Sequence, residues 1–321
     1  MKYYLSLLIL LFTNSQQAFS ALPVLLPFKC IDNRIIVRVA TSKGDTLNFL
    51  FDTGSDIFLI DSASVADHGL AKHYEGKIPI PLLAGTLLQG TVFQNQSMFR
   101  DPGINLIYNT LIAIDAKKIP NMPGIPIHGI MGVNHFMQRY IIRIDFESQT
   151  IGLVDGNEAI LNEKKTLVIP MIYTDKDHET HLSKYARLLP ATLARVYISR
   201  GNLITTNALF DTGIRFDFLL FTCLQTDSLL RCWGKSNAYD STPDSAFTIE
   251  KGRYAFTGDS LKIGGNIFET TTSIQLAQTS VPGLVDFGDL QTVLDIGVAY
   301  LKKYKTIDFD YPGKRICLTS Y

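Results

Sequence analysis

Two identical Asp-Thr-Gly tripeptides, each following a hydrophobic run, are the residues of this chain best suited to chemistry. They are Asp52-Thr53-Gly54 and Asp211-Thr212-Gly213, and they lie 159 residues apart. Glycine permits a tight turn that would expose the preceding aspartate at a strand end. Two adjacent carboxyl groups hold one proton between them, because ionising both is costly. Such a pair can take a proton from water with one member and donate one to a carbonyl oxygen with the other.

A second pair of matching blocks follows the two tripeptides. The block from Gly132 to Leu153 corresponds to the block from Gly297 to Leu318 at a constant offset of 165 residues, without a gap. Such self-similarity predicts a duplicated unit. If the copies pack about a pseudo-twofold axis, the aspartates Asp52 and Asp211 meet face to face, and a hydroxyl from each threonine can bond to the opposite loop.

The elements that must position these loops have the period of strands. Residues 34–40 and 46–51 are rich in β-branched and aromatic side chains, and residues 141–154 and 306–318 have the pattern of hairpins. Short helices are predicted at 62–71, 134–139 and 299–304. The sequence therefore predicts an all-β chain with a few short helices.

Composition and charge exclude several classes of protein. The chain has 321 residues, 46% of them hydrophobic, which is enough for a sizeable core. Lysine plus arginine equals aspartate plus glutamate at 30 each, and no basic cluster interleaved with aromatics suggests a nucleic-acid partner. No metal or other cofactor is predicted, and the histidines at 178 and 181 are interpreted as part of a solvated linker.

The N-terminus has the pattern of a secretory signal peptide. Lys2 precedes a ten-residue apolar run, and Ala18-Phe19-Ser20 is typical of a cleavage site. We expect residues 1–20 to be removed and the mature protein to be secreted or periplasmic, without a membrane span. The alternatives are an uncleaved anchor and a buried N-terminal helix.

Four cysteines in an oxidising compartment are expected to form disulfides. Three connectivities are possible. Cys223 and Cys232 lie nine residues apart, which suits a local bridge, and this pairing would leave Cys30 to bond with Cys317.

The loops and blocks together resemble those of the pepsin-like and retropepsin-like aspartic proteases, over residues 35–318. The resemblance implies two pseudo-twofold related, β-barrel-like lobes, with a cleft that binds an extended polypeptide. It places the catalytic pair at Asp52 and Asp211. The residues that it implies support the loops are Thr53, Gly54, Ser55, Thr212 and Gly213, and those of its second motif are Ile130, Met131, Gly132, Ile296 and Gly297.

The second half departs from the family pattern at two positions. Ile214 stands where Ser55 stands in the first half, and Asp295 stands where a hydrophobic residue is expected. If Ser55 stabilises an ionised Asp52, then Asp52 is the carboxylate and Asp211 the acid. For Asp295, a partly exposed side chain in a shifted register is the alternative.

A flap over the cleft is predicted at residues 82–90, where glycines could let a hairpin flex over substrate. The candidate substrate-binding residues there are Leu83, Gly85, Thr86 and Leu87. The alternative is an ordinary surface hairpin.

These predictions combine into a monomeric, bilobal aspartic endopeptidase. We expect an N-terminal lobe at 21–172, a linker at 173–184 and a C-terminal lobe at 185–321. The alternatives are a catalytically weak or inactive peptide-binding or inhibitory protein on the same scaffold, and a purely structural extracellular β protein in which both tripeptides are coincidental turns.

Overall fold

The computed structural model describes residues 25–69, 74–81, 87–95, 97–115, 122, 124–134, 136–154, 166–171, 190–198, 202–222, 237–239, 253–263, 266–278 and 293–321. This part of the chain is mostly strand with few short helices, as predicted. The strands of the first half are β1 Leu25–Ile31, β2 Arg34–Ala40, β3 Thr46–Asp52, β4 Phe58–Asp61, β5 Tyr74–Pro81, β6 Leu87–Gln94, β7 Thr110–Ile114, β8 Gly129–Gly132, β9 Ile141–Asp145, β10 Thr150–Val154 and β11 Thr166–Pro170.

The remaining elements follow in chain order. The strands of the second half are β12 Ala191–Ile198, β13 Asn202–Phe210, β14 Phe218–Thr222, β15 Asn237–Tyr239, β16 Arg253–Ile263, β17 Asn266–Gln278, β18 Val293–Ile296, β19 Thr306–Asp310 and β20 Arg315–Thr319. The helices are α1 Ser62–Asp67, α2 Pro102–Ile107 and α3 Val298–Leu301, with a 3-10 turn at Met137–Arg139.

Two sheets contain these strands. The larger has the order β11-β20-β19-β9-β10-β1-β2-β3-β8-β4-β7-β6-β5, and the smaller has the order β12-β13-β18-β14-β17-β16-β15. Strand β12 also pairs with β16, which closes six strands of the smaller sheet into a barrel. Strands β19 and β20, although late in the chain, extend the larger sheet and join the two halves.

The same strand arrangement supports each Asp-Thr-Gly loop. In the first half β3 is parallel to β8, and β4 is antiparallel to β8. In the second half β13 is parallel to β18, and β14 is antiparallel to β18. Each tripeptide therefore begins at the carboxyl end of a strand that has a buried parallel neighbour. Phe51 and Phe210, the residues before the two aspartates, belong to one apolar core.

The two halves pair edge to edge through β9 and β19. Arg143 and Asp308 are directly opposite each other, and they are also separated by the 165 residues that relate the two second blocks. The pairing is symmetric about them, because Ile141 faces Asp310 and Asp145 faces Thr306. A pseudo-twofold axis thus runs through this pair. The Arg143 guanidinium donates to both oxygens of the buried Asp308 carboxylate, over 2.7 and 2.9 Å.

The predicted local elements are largely observed. The strands at 34–40 and 46–51 are β2 and β3, and both predicted hairpins are present. The helices are shorter than predicted: α1 ends at Asp67, α3 spans one turn, and the 134–139 segment contains only a 3-10 turn. Helix α2 was not predicted. Its signals are Asp101, whose side chain accepts from the Gly103 N–H, and Pro102 in the first turn.

The structure corrects the predicted bond between Cys30 and Cys317, since both thiols are free. Strands β19, β9 and β10 lie between β20, which carries Cys317, and β1, which carries Cys30. At about 4.8 Å per strand, the two backbones are about 19 Å apart, whereas a disulfide needs Cα atoms within about 7 Å. Cys223 and Cys232 lie outside the described residues.

The predicted signal peptide at 1–20 and linker at 173–184 also lie outside the described residues, so the lobe boundaries remain predictions. Within the part of the chain that the structure describes, no helix has both the length and the apolar character needed to cross a bilayer.

Candidate active site

The two aspartates of the tripeptides come together from separate halves. Asp52 is the last residue of β3, opposite Gly132 of β8. Asp211 directly follows β13, and its N–H donates to the Ile296 carbonyl of β18 over 3.0 Å, which extends the parallel ladder by one residue. Each carboxyl group lies against the glycine of the opposite loop, and the two groups influence each other's ionisation. The structure therefore brings the predicted catalytic pair into contact.

The two threonines lock the loops together by a reciprocal exchange of hydrogen bonds. The Thr53 N–H donates to the Thr212 hydroxyl over 3.0 Å, and the Thr212 N–H donates to the Thr53 hydroxyl over 3.0 Å. Each hydroxyl donates onward to a carbonyl of the opposite strand, Thr53 to Phe210 over 2.5 Å and Thr212 to Phe51 over 2.9 Å. Because both threonines are buried, losing either hydroxyl would leave polar groups without partners.

The two glycines are required by close approach of the opposite aspartate. A Cβ atom on Gly54 would lie 2.5 Å from Oδ2 of Asp211, and one on Gly213 would lie 2.7 Å from Cγ of Asp52. Each glycine N–H also donates to Oδ1 of the aspartate in its own loop, over 2.8 Å in the first half and 2.7 Å in the second. The tight turn that the sequence predicts is thus accompanied by a steric requirement from the other half.

The second motif of the first half supports the Asp52 loop from below. The Gly132 N–H donates to the Ile57 carbonyl over 3.0 Å, and the Val133 N–H donates to the Ser55 carbonyl over 2.7 Å. The buried Tyr108 hydroxyl donates to the Gly132 carbonyl over 3.0 Å. Ile130 and Met131 of this motif lie in β8, and their side chains belong to two different apolar clusters.

The second half repeats this support. The Gly297 N–H donates to the Asp217 carbonyl over 3.0 Å, and the Val298 N–H donates to the Ile214 carbonyl over 2.9 Å. Ile296 is buried opposite Phe210. The replacement of the serine by Ile214 therefore leaves the backbone contacts of the loop intact.

Ser55 does not support Asp52 as the sequence interpretation supposed. Its hydroxyl lies 3.4 Å from both the carbonyl and the amide nitrogen of Ile57. Among the hydrogen bonds of the described residues, the one to an Asp52 oxygen comes from the backbone amide of Gly54, over 2.8 Å.

The electrostatic environments of the two aspartates are unequal. Burial raises the pKa of Asp52, and the neighbouring Asp211 and the backbone amides of Gly54 and Gly213 lower it. Burial, the charge of Asp52 and the charge of Asp295 all raise the pKa of Asp211, which stands well above its ordinary value. The pKa is raised further at Asp211, which favours a proton on Asp211 and a charge on Asp52, and the assignment of acid and carboxylate stays a prediction.

Asp295 is a third buried carboxyl beside this pair. The alternative of an exposed side chain in a shifted register is wrong, because Asp295 is 1% exposed and faces Leu209 and Leu219 in regular register. Neither of its oxygens has a hydrogen-bond partner in the described structure. Burial raises the pKa of Asp295 well above its ordinary value, and the charge of Asp52 raises it further.

Asp56, two residues beyond the first tripeptide, was not singled out from sequence. Burial raises the pKa of Asp56 to about 6. The carboxyl group of Asp56 is therefore a further titrating group close to the pair, in the first half. Within the described residues, no three His, Cys, Asp or Glu side chains are arranged to hold a metal ion.

The predicted flap falls on an antiparallel hairpin formed by β5 and β6. Leu83, Gly85 and Thr86 lie outside the described residues, and Leu87 is the first residue of β6, so their role stays a prediction. Gly90 pairs with Ile78 within the hairpin, and a Cβ there would collide with the side chains of Ile80 and Ile112, so packing alone explains this glycine.

The hairpin packs on an apolar cluster next to the Asp52 loop. Ile80 and Leu88 of the hairpin contribute to this cluster, as do Leu50 of β3 and Ile130 of β8. The other buried members are Ile36, Leu59, Ile112, Ile114 and Met122. Because these side chains are buried, the cluster fixes the hairpin to the strands that carry the Asp52 loop.

Comparison with known proteins supports the fold. No protein-family model matches the chain, and no curated protein sequence matches it. Among solved structures, the chain is similar to an aspartic proteinase from Irpex lacteus, with a TM-score of 0.51, 16% identity, and coverage of 93% of this chain and 97% of that chain. At this identity the likeness shows the fold alone. The chain thus has the bilobal, all-β fold of the pepsin-like aspartic proteinases, as predicted.

Proposed function

We propose that this protein is an aspartic endopeptidase that hydrolyses peptide bonds with a water activated between Asp52 and Asp211. The observation that carries the proposal is the contact between two carboxyl groups from different halves, held by the reciprocal bonds of Thr53 and Thr212. A structural β protein would have no use for two mutually repelling acids at the junction of its halves, since burying them is costly.

The chemistry follows from the unequal pair. Ionised Asp52 takes a proton from the water as it attacks the peptide carbonyl, and neutral Asp211 donates its proton to the carbonyl oxygen. Return of a proton to the amide nitrogen lets the C–N bond break and releases an amine and a carboxylic acid. Because one carboxyl must be protonated, we expect cleavage to favour acidic to mildly acidic pH.

The substrate class is a polypeptide in an extended conformation, lying between the halves beneath the β5–β6 hairpin. Since one chain supplies both carboxyl groups, a monomer suffices. The N-terminal sequence pattern places the protein outside the cytoplasm in this proposal.

The test is digestion of an unfolded protein across pH 3 to 8, with and without a statine-type inhibitor. Asp52→Asn and Asp211→Asn are each expected to lower cleavage by about 10²–10⁴-fold. The matched control is Asp67→Asn, which removes an exposed aspartate from helix α1. Cleavage that survives in either active-pair variant would overturn the proposal.

A peptide-binding protein on the same scaffold is the second candidate. Asp295 favours it, because a third acid beside the pair opposes the ionisation that catalysis requires. This candidate predicts that the wild-type protein binds a statine-type inhibitor, yet cuts no faster than Asp52→Asn at any pH.

A further inference from the structure

We propose that Asp295 is a positioning residue of the active pair, acting through Asp211 to extend the pH range over which the pair keeps its shared proton. The inference rests on the proposed function, and it adds to it a residue that sets the working pH. In this proposal Asp295 does not contact the reacting atoms.

The strand geometry places Asp295 on the side of the sheet where Asp211 emerges. Asp295 of β18 lies directly opposite Leu209 of β13, and Asp211 is two residues after Leu209. Side chains two residues apart on a strand share a face, and the bond from the Asp211 N–H to the Ile296 carbonyl continues the ladder to this point. Diagonal neighbours of this kind are about 7–8 Å apart.

The first half provides the reference for this position. There, Ile130 lies opposite Leu50 and Leu59 within an apolar cluster. In the second half, Asp295 lies opposite Leu209 and Leu219, both of which are buried. An isoleucine would suit this apolar setting, so the carboxyl group is not explained by packing.

The cost of the Asp295 carboxyl also argues for a role. Its two oxygens have no hydrogen-bond partner among the described residues, and a buried carboxyl without partners is strongly unfavourable when ionised. A group that served only to fill space would be replaced without loss by an apolar residue.

Among the described residues, the charged groups whose ionisation is linked to that of Asp295 are acids. Strands β13 and β14 carry no ionisable residue. In the loop between them, Arg215 forms an ion pair with Asp32 at 3.3 Å and Asp217 is exposed. In the part of the chain that the structure describes, Asp52 and Asp211 are the groups whose charges couple to Asp295. Asp56 titrates in the neighbouring loop of the first half.

The direction of the effect follows from like-charge repulsion. Once the pH is high enough to ionise Asp295, its charge disfavours a second charge on Asp211 and so raises the pKa of Asp211. Asp211 then loses the shared proton at a higher pH than it would beside a neutral residue. The basic limb of the activity profile is the point at which this proton is lost.

The test compares the pH dependence of kcat/KM for the wild type, Asp295→Asn and Asp295→Ile, with Asp67→Asn, at an exposed position of α1, as the matched control. Both Asp295 variants are expected to move the basic limb to lower pH, by an amount on the order of one pH unit for a charge about 8 Å away. The control is expected to leave it unchanged. The isoleucine variant introduces at position 295 the residue that the first half has at the equivalent position, Ile130. It provides a folded variant for the test if the asparagine variant is unstable.

Titration of ¹³Cγ-labelled aspartates by NMR gives a readout that does not need activity. The Asp211 resonance, assigned with Asp211→Asn, is expected to titrate at lower pH in both Asp295 variants. An unchanged Asp211 titration in a folded Asp295 variant would overturn this inference and leave the proposed function standing. Absence of cleavage in the wild type would instead overturn the proposed function, with the titration still deciding the role of Asp295.

Discussion

The half of the molecule that carries Asp52 and the half that carries Asp211 have the same loop geometry and different electrostatics. Each aspartate accepts from the glycine of its own tripeptide, and the threonines exchange bonds of equal length, 3.0 Å each. Yet Ile130 in one half corresponds to Asp295 in the other. The backbone symmetry brings the pair together, and side chains outside the tripeptides make its members unequal.

The same contrast recurs where the halves join. On the pseudo-twofold axis, equivalent positions are occupied by Arg143 and Asp308, which form a bidentate ion pair. Two copies of one half could not make this contact, because arginine would face arginine or aspartate would face aspartate. The asymmetry therefore favours pairing of unlike halves within one chain.

Apart from the aspartate variants, the largest loss of activity is expected at the two tripeptide glycines, which make the same kind of contact in both halves. Gly54→Ala and Gly213→Ala would each push a methyl group into the opposite aspartate, at 2.5 Å from Asp211 Oδ2 and 2.7 Å from Asp52 Cγ. Because small misplacements of catalytic groups are costly, we expect kcat to fall by about 10²-fold or more in both. Gly152→Ala, where a Cβ meets only Leu25 at 3.7 Å, is the matched control. Full activity in either loop variant would contradict the close contact.

A smaller effect, a loss of stability, is expected when the ion pair on the pseudo-twofold axis is broken. Arg143→Ala leaves the fully buried Asp308 carboxylate without its bidentate donor, and we expect a loss of about 2 kcal/mol in the free energy of unfolding. Urea unfolding measures this loss. The exchanged variant, Arg143→Asp with Asp308→Arg, should recover part of it, whereas an exchanged variant less stable than Arg143→Ala would show that the pairing of charges is not what matters.

Asp295 should also make stability depend on pH. Because its pKa is raised in the folded state, its carboxyl favours folding below the unfolded pKa of about 3.9, and this contribution is lost as the pH rises through the folded pKa. We expect Asp295→Ile to gain stability relative to wild type as the pH rises above about 4, by up to about 1.4 kcal/mol for each unit of pH, until Asp295 ionises in the folded protein. A difference in unfolding free energy that is constant over this range would contradict the buried, titrating carboxyl.

The smallest effect is expected at Ser55. Its hydroxyl lies against the backbone of Ile57, so Ser55→Ala should leave the titration of the pair, measured from the pH profile of kcat/KM, within a few tenths of a pH unit. A shift of the pH profile as large as that expected for Asp295→Asn would instead support a hydrogen bond from Ser55 to Asp52, as the sequence suggested.

The sequence predicts the loops well because their requirements are local. A strand, an aspartate and a glycine determine where Asp52 and Asp211 emerge, and the constant offset of 165 residues predicts which strands support them. Arg143 and Asp308 are also related by this offset, which is a sequence indication that they form an ion pair on the pseudo-twofold axis. That signal is visible only once β9 is known to pair with β19.

Asp295 could not be interpreted from sequence because burial is a property of the assembled sheet. One aspartate in a short apolar strand is usually exposed or at a strand end, and nothing local reveals that Leu209 and Leu219 flank it. The bond between Cys30 and Cys317 was wrong for a similar reason, since the number of strands between them depends on the crossing of β19 and β20 into the first sheet.

The central claim, that Asp52 and Asp211 act as one unit sharing a proton, is tested most directly by a double-mutant cycle on kcat/KM. Groups that act as a unit are strongly non-additive. We predict that Asp52→Asn with Asp211→Asn is no slower than the slower single variant, within about threefold. If the losses of the two single variants multiply in the double variant, the two carboxyl groups act independently, which would contradict a shared proton.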